Sequence, residues 1–159
     1  PEGYETPSKR PGGGASMGTF ETFDLTADVG LEVRGESFED LLATAAHAVF
    51  SLVLEDRPEA VETKAEIEVA PRGGLEDQAE LFVLWLQELL YRFDTEHLVP
   101  LEFDFQEASP DRVRAQVGFG RFDPKRHRAG AEVKAVTYHG LEVHKDASGV
   151  WSARFILDI

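Results

Sequence analysis

The stretch Gly30-Leu31-Glu32-Val33-Arg34-Gly35-Glu36-Ser37-Phe38-Glu39-Asp40-Leu41-Leu42 reads as a strand that hands over to a helix. Residues 30–34 carry the strand and Gly35 ends it. Ser37 then offers an N-cap, with Asp40 three residues later in a variant of the capping box. Beyond it Phe38, Leu41, Leu42, Ala45, Val49 and Val53 recur at helical spacing and define one apolar face. Upstream lie another strand, 19–23, and a polar corner, 24–28. Downstream, Arg57-Pro58 falls past the helix end, and Ala65-Glu66-Ile67-Glu68-Val69 alternates as a strand with one wet face does. Arg72-Gly73-Gly74 is a turn, and Glu76 and Asp77 sit where a helix N-terminus favours negative charge. Leu81, Phe82, Trp85, Leu86, Leu89, Leu90 and Phe93 then make a second helix, with a stripe wide enough to be covered on more than one side.

The last third of the chain is richer in strands. Residues 101–106 and 112–118 read as a hairpin turned at Ser109-Pro110-Asp111. Residues 121–130 form a polar, partly basic loop containing a proline, and 133–137 fit a short helix or a strand. Residues 140–144, a turn at 146–149 and a strand from Trp151 onward close the chain. Strands outnumber helices, so the expected fold is α+β, a single domain with a mostly antiparallel or mixed sheet and two main helices packed on it. Residues 1–16 contain Pro7, Pro11 and Gly12-Gly13-Gly14 with no aliphatic anchor, and read as a flexible extension. Met17, the only methionine, follows directly, so the extension is expected to be a cloning remnant or a mis-assigned upstream start. Residues 17–159 are then the folded domain.

With 159 residues, 42% hydrophobic and 10% aromatic, the chain can bury a core. Its 16 Lys and Arg face 30 Asp and Glu, a formal charge of −14. That surface lacks the basic footprint of a nucleic-acid binder and favours cations, basic proteins or a positively charged groove. Solubility alone also accounts for it. The absence of cysteine excludes disulfides, thiolate metal sites and cysteine nucleophiles. No apolar run approaches the roughly 20 residues that span a bilayer. Nor does the N-terminus show a basic-then-apolar secretory pattern, so a cytoplasmic protein is expected, with no membrane partner.

Two carboxylate clusters stand out. Arg154-Phe155-Ile156-Leu157-Asp158-Ile159 is a β-favouring run with no polar tail. If the strand is paired, the Asp158 side chain and the α-carboxylate of Ile159 are held together. Like charges so close raise a pKa or recruit a hard, oxygen-loving cation. An ordinary strand end with a solvated carboxylate accounts for the same residues. The second cluster, Asp24-Leu25-Thr26-Ala27-Asp28, fits an Asx- or ST-type turn at Asp24 and Thr26. Among the histidines, His47 lies in the first helix among apolar neighbours and fits a packing or a solvated role. His127 and His139 flank Glu132 and Lys134, where an acid/base group is conceivable. No Ser-His-Asp set, HExxH, P-loop or GxGxxG accompanies them.

Four motifs in order resemble the archease family: Phe23-Asp24-Leu25-Thr26-Ala27-Asp28-Val29-Gly30, Glu88-Leu89-Leu90-Tyr91-Arg92-Phe93-Asp94, Glu132-Val133-Lys134-Ala135-Val136-Thr137-Tyr138-His139-Gly140-Leu141 and Ile156-Leu157-Asp158-Ile159. The resemblance covers residues 20–159. It implies a small α+β, non-catalytic accessory protein that activates an RtcB-type RNA ligase in tRNA splicing and RNA repair, promoting guanylylation of the ligase histidine and hence multiple turnover. It also implies a metal site of Asp28, Asp158 and Ile159, for Ca²⁺ first, with Mg²⁺ or Mn²⁺ as alternatives. Glu132, Lys134 and His139 would belong to a partner or nucleotide surface, an ion pair between Glu132 and Lys134 being the other reading. Leu25 stands where the family motif usually has His. Two rival functions remain: a small metal-dependent hydrolase with His127 or His139 as general base, and a chaperone-like modulator of RNA-processing proteins with a structural ion.

Overall fold

The protein is described here from a computed structural model, which covers residues 8–9, 18–24, 28–73 and 77–159. In chain order the described elements are β1 (Ser8–Lys9), β2 (Thr19–Asp24), β3 (Asp28–Gly35), α1 (Phe38–Val53), β4 (Thr63–Val69), α2 (Gln78–Glu96), β5 (Leu98–Ser109), β6 (Arg112–Arg121), β7 (Ala135–Lys145) and β8 (Trp151–Asp158). All described strand pairs are antiparallel and fall into two sheets, ordered β1-β2-β3-β8-β7 and β4-β6-β5. The α+β class read from the sequence is the class found, with the strands shared between two sheets. Of the 1–16 stretch, only Ser8 and Lys9 are described, paired with Phe20 and Thr19. Met17, the Gly12–Gly14 run, Leu25, Thr26, Glu76 and the side chain of Asp24 lie outside the described residues.

Contacts divide the chain into two compact units: residues 1–48 with 132–159, and residues 49–131. In the first, β3 reaches Gly35 and turns into α1 within three residues. A Cβ on Gly35 would lie 2.5 Å from the Leu41 amide nitrogen, a clash, so the strand-to-helix corner requires a residue without one. Ser37 caps the helix, accepting the Asp40 N–H at 3.0 Å, while the Asp40 carboxylate accepts the Glu36 N–H at 2.9 Å. The inner face of the five-stranded sheet carries Leu31, Val33, Phe155 and Leu157, all without solvent exposure. Each such side chain stabilises the fold by about 1.5–3 kcal/mol relative to exposure. Phe38 of α1 packs on Trp151 of β8 with ring centroids 5.1 Å apart. His47 is buried in α1, which decides between the packing and solvated readings in favour of packing.

In the second unit α2 is bounded by two well-defined caps. Asp77 accepts the Glu80 N–H at 3.0 Å, and His97, at φ 60°, closes the C-terminus by donating its N–H to the carbonyls of Arg92 and Phe93. Trp85 packs between Phe103 and Phe105 of β5, with centroids 5.8 and 5.4 Å away. The expected hairpin is present as β5 and β6 and is longer than its sequence signal, because Leu98–Pro100 and Phe119–Arg121 also pair. No described helix is long and apolar enough to cross a membrane.

Candidate functional site

The site grows out of the register between β3 and β8. Asp28 lies directly opposite Asp158, Gly30 opposite Ile156, Glu32 opposite Arg154 and Arg34 opposite Ser152. On the other side of β8, Ala135 is opposite Asp158 and Thr137 opposite Ile156. Residues opposite each other in an antiparallel pair share a face, and every second residue returns to it. Asp28, Asp158, Ala135, Gly30, Ile156, Thr137, Glu32 and Arg154 therefore stand on the outer face, with the core on the other side.

The two aspartates, 130 positions apart in the chain, are thus neighbours at the end of one strand pair. Directly opposed Cβ atoms lie about 4.5–5.5 Å apart, and like charges so placed destabilise the pair. Among the described residues neither carboxylate makes a hydrogen bond or ion pair, and both are half-buried. The main chain fixes their level: the Lys134 N–H donates to the Asp158 carbonyl at 2.7 Å. One row along, the Thr137 hydroxyl is buried with no hydrogen-bond partner. Unpaired carboxylate oxygens are the ligands a hard cation takes, and a buried hydroxyl without a partner a row away leaves a further oxygen uncommitted. The chemistry of the two carboxylates therefore fits a hard divalent ion. Among the described residues no three His, Asp or Glu side chains gather to hold a metal. Ile159 is 38% exposed, beside this pair.

Next to the pair, β7 is irregular. Between the Thr137↔Ile156 and Glu142↔Arg154 pairs, β7 carries residues 138–141 against Phe155 alone, a three-residue excess. Gly140, at φ 69°, allows the reversal this bulge needs. Tyr138 is 52% exposed on it and His139 is exposed beside it. The sequence reading divided this strand into 133–137 and 140–144. It is one element with an outgrowth, and β-bulges favour the edges of functional sites.

The remaining sequence candidates separate. Glu132 and Lys134 are exposed, and among the described residues neither side chain makes an ion pair, so the Glu132–Lys134 pair considered above is not formed. His127 is buried in its own loop, where Nδ1 accepts the Asp123 N–H at 2.9 Å and the ring lies 5.8 Å from Phe122. With that nitrogen occupied, His127 has the geometry of a loop clasp. His139 stays exposed, on the bulge.

With this arrangement established, the model of the archease protein family (MTH1598/TM1083) matches residues 20–159. The chain belongs to the archease family. It is similar to "Protein archease" of Methanopyrus kandleri, 34% identical over 143 residues, covering 88% of this chain and 99% of that protein. The Pyrococcus furiosus "Protein archease" is 33% identical over 146 residues, covering 90% of this chain and all of the relative. In three dimensions it is similar to the solution structure of Methanobacterium thermoautotrophicum protein 1598. The TM-score is 0.68 at 32% identity, over 88% of this chain and 98% of that one. The archease match spans all four sequence motifs, and with them both opposed aspartates.

Proposed function

We propose that this archease-family protein is a non-catalytic accessory factor that activates an RtcB-type RNA ligase in the cytoplasm, by promoting the ligase's guanylylation and so its multiple turnover. The observation that carries the reading is the register of Asp28 against Asp158: two unpartnered, half-buried carboxylates on one sheet face, in a chain of this family. Asp28, Asp158 and Ile159 would hold a divalent cation, Ca²⁺ first and Mg²⁺ or Mn²⁺ as alternatives. When bound, the ion supplies neutralisation of the cluster and a Lewis-acidic point at the sheet end. The chain's own work is positional. The β3–β8 ladder sets the two carboxylates side by side, and the Lys134 amide fixes the Asp158 main chain. Lys134, Glu132 and His139, all exposed, are left to meet the ligase or its nucleotide. The charge of −14 supports docking in a cationic groove that otherwise takes RNA, and argues against strong RNA binding by this chain itself.

The test is a multiple-turnover joining assay with a cognate ligase, GTP and RNA ends. Adding the protein should raise turnover, whereas Asp28→Ala and Asp158→Ala should remove the stimulation and keep the native circular-dichroism spectrum. Full stimulation by both variants would sink the metal-site mechanism. Chelator-sensitive phosphoester turnover by the protein alone would favour the hydrolase reading. Failure to capture any ligase while retaining other partners would favour the chaperone-like one.

A further inference from the structure

At the opposite end of the same sheet face lies a shallow depression lined by Glu32, Arg34, Glu142, His144, Ser152 and Arg154. Its volume is about 140 Å³, well above the roughly 10–15 Å³ that admits one water on the same measure. Two rows of the ladder build it. In the first, Arg34, Ser152 and His144 stand side by side across β3, β8 and β7; in the second, Glu32, Arg154 and Glu142 do. The chemistry of the rows differs. Arg154 Nη1 donates to Glu32 Oε2 at 2.6 Å, so those two charges largely cancel. Ser152 Oγ and His144 Nε2 are 3.2 Å apart. Among the described residues Arg34 and Glu142 make no hydrogen bond or ion pair, so one guanidinium and one carboxylate face the depression uncommitted.

We propose that this depression binds inorganic phosphate in its monohydrogen form. A guanidinium fork suits two oxygens of a tetrahedral oxyanion. In the tautomer where His144 Nε2–H donates to Ser152 Oγ, the serine O–H is free to donate to a third oxygen. The uncommitted Glu142 sets the class. An ionised carboxylate only accepts hydrogen bonds, so it repels sulfate or a phosphate monoester dianion but accepts the proton that monohydrogen phosphate keeps at neutral pH. One uncommitted guanidinium with one acceptor beside it is a selective arrangement.

The inference is independent of the ligase reading, because its test contains no ligase. Inorganic phosphate is titrated into the full chain in chloride buffer at fixed ionic strength, and the His144 ring and Ser152 amide resonances are followed. Saturable shifts confined to β3, β7 and β8 are expected, with sulfate and methyl phosphate binding about tenfold more weakly or worse. Arg34→Gln should weaken phosphate about tenfold, and Arg34→Lys should restore part of that loss. Glu142→Gln should abolish the preference for phosphate over sulfate, a change in selectivity that misfolding cannot imitate. Unsaturable shifts, equal affinity for sulfate in the unaltered chain, or an Arg34→Gln isotherm that overlays the original would each overturn the proposal.

Discussion

Asp28 and Asp158 oppose each other across β3 and β8, so their effect on stability should reverse between chelator and divalent metal. In chelator, Asp28→Asn or Asp158→Asn relieves a cross-strand repulsion and should raise stability by about 0.2–1 kcal/mol, read as a higher Tm. With millimolar Ca²⁺ the unaltered chain should gain stability by mass action, and both variants should lose that gain. A Tm of the unaltered chain that does not respond to Ca²⁺, Mg²⁺ or Mn²⁺ would remove the metal site. Thr137→Val tests the orphaned hydroxyl: without metal the change should be neutral or stabilising, because an unsatisfied buried group is removed. One glycine appended after Ile159 should lower the Ca²⁺ response and the ligase stimulation; if both stay whole, Asp28 and Asp158 act without the terminal carboxylate. The identities of these aspartates were legible in the sequence, since each sits in a motif. Their adjacency came only from the family resemblance, which implied a shared site; β3–β8 pairing joins segments more than a hundred residues apart, and no local pattern states that register.

At the scale of elements, local chemistry was the readable part. Ser37 and Asp40 announced the start of α1 because a cap is written within four residues, and the charges of Glu76 and Asp77 pointed to that of α2, where Asp77 is the cap. Ser37→Ala should cost about 1 kcal/mol in urea unfolding. Gly35→Ala should cost more, about 1–3 kcal/mol, because the added methyl meets the Leu41 amide rather than a side chain that can move. The β7–β8 turn carries a pH dependence. Asp146 accepts from the Ser148 hydroxyl at 2.7 Å and from the Val150 N–H at 3.0 Å, and these bonds hold its carboxyl below the ordinary carboxylate range. A depressed folded pKa contributes stability above the unfolded value and loses it as the pH falls through the folded one. Asp146→Ala should therefore lower Tm at neutral pH, and the difference should vanish in acid; a gap of constant size would refute that origin. The β7 bulge was unreadable for the opposite reason. Its surplus residues are surplus only against β8, and the strand's own sequence reads as two pieces.

At the scale of the whole molecule the property that bears on the proposed docking is net charge. At −14, attraction to a cationic ligase groove should be strongest at low ionic strength. The association rate should fall several-fold between about 50 and 300 mM salt while dissociation changes less, as stopped-flow mixing would read. Equal rates across that range would remove electrostatic steering from the account. Composition made this property visible at once, whereas the division of the strands into two sheets was not visible. Alternation in residues 65–69 and 101–106 shows that a strand has two different faces, but not which sheet it joins.

The β7 bulge has a second consequence, for solubility. β7 is the last strand of its sheet among the described residues, and a regular edge invites a second copy of the same molecule to extend the sheet. Three surplus residues break the row of free backbone groups in mid-strand. Deleting Tyr138, His139 and Gly140 would restore a continuous ladder, with Leu141 opposite Phe155 between the existing Thr137↔Ile156 and Glu142↔Arg154 pairs. The straightened protein should self-associate edge to edge and sediment as dimers or larger species at concentrations where the unaltered chain does not. The same outgrowth that borders the carboxylates would then also act as a guard against aggregation.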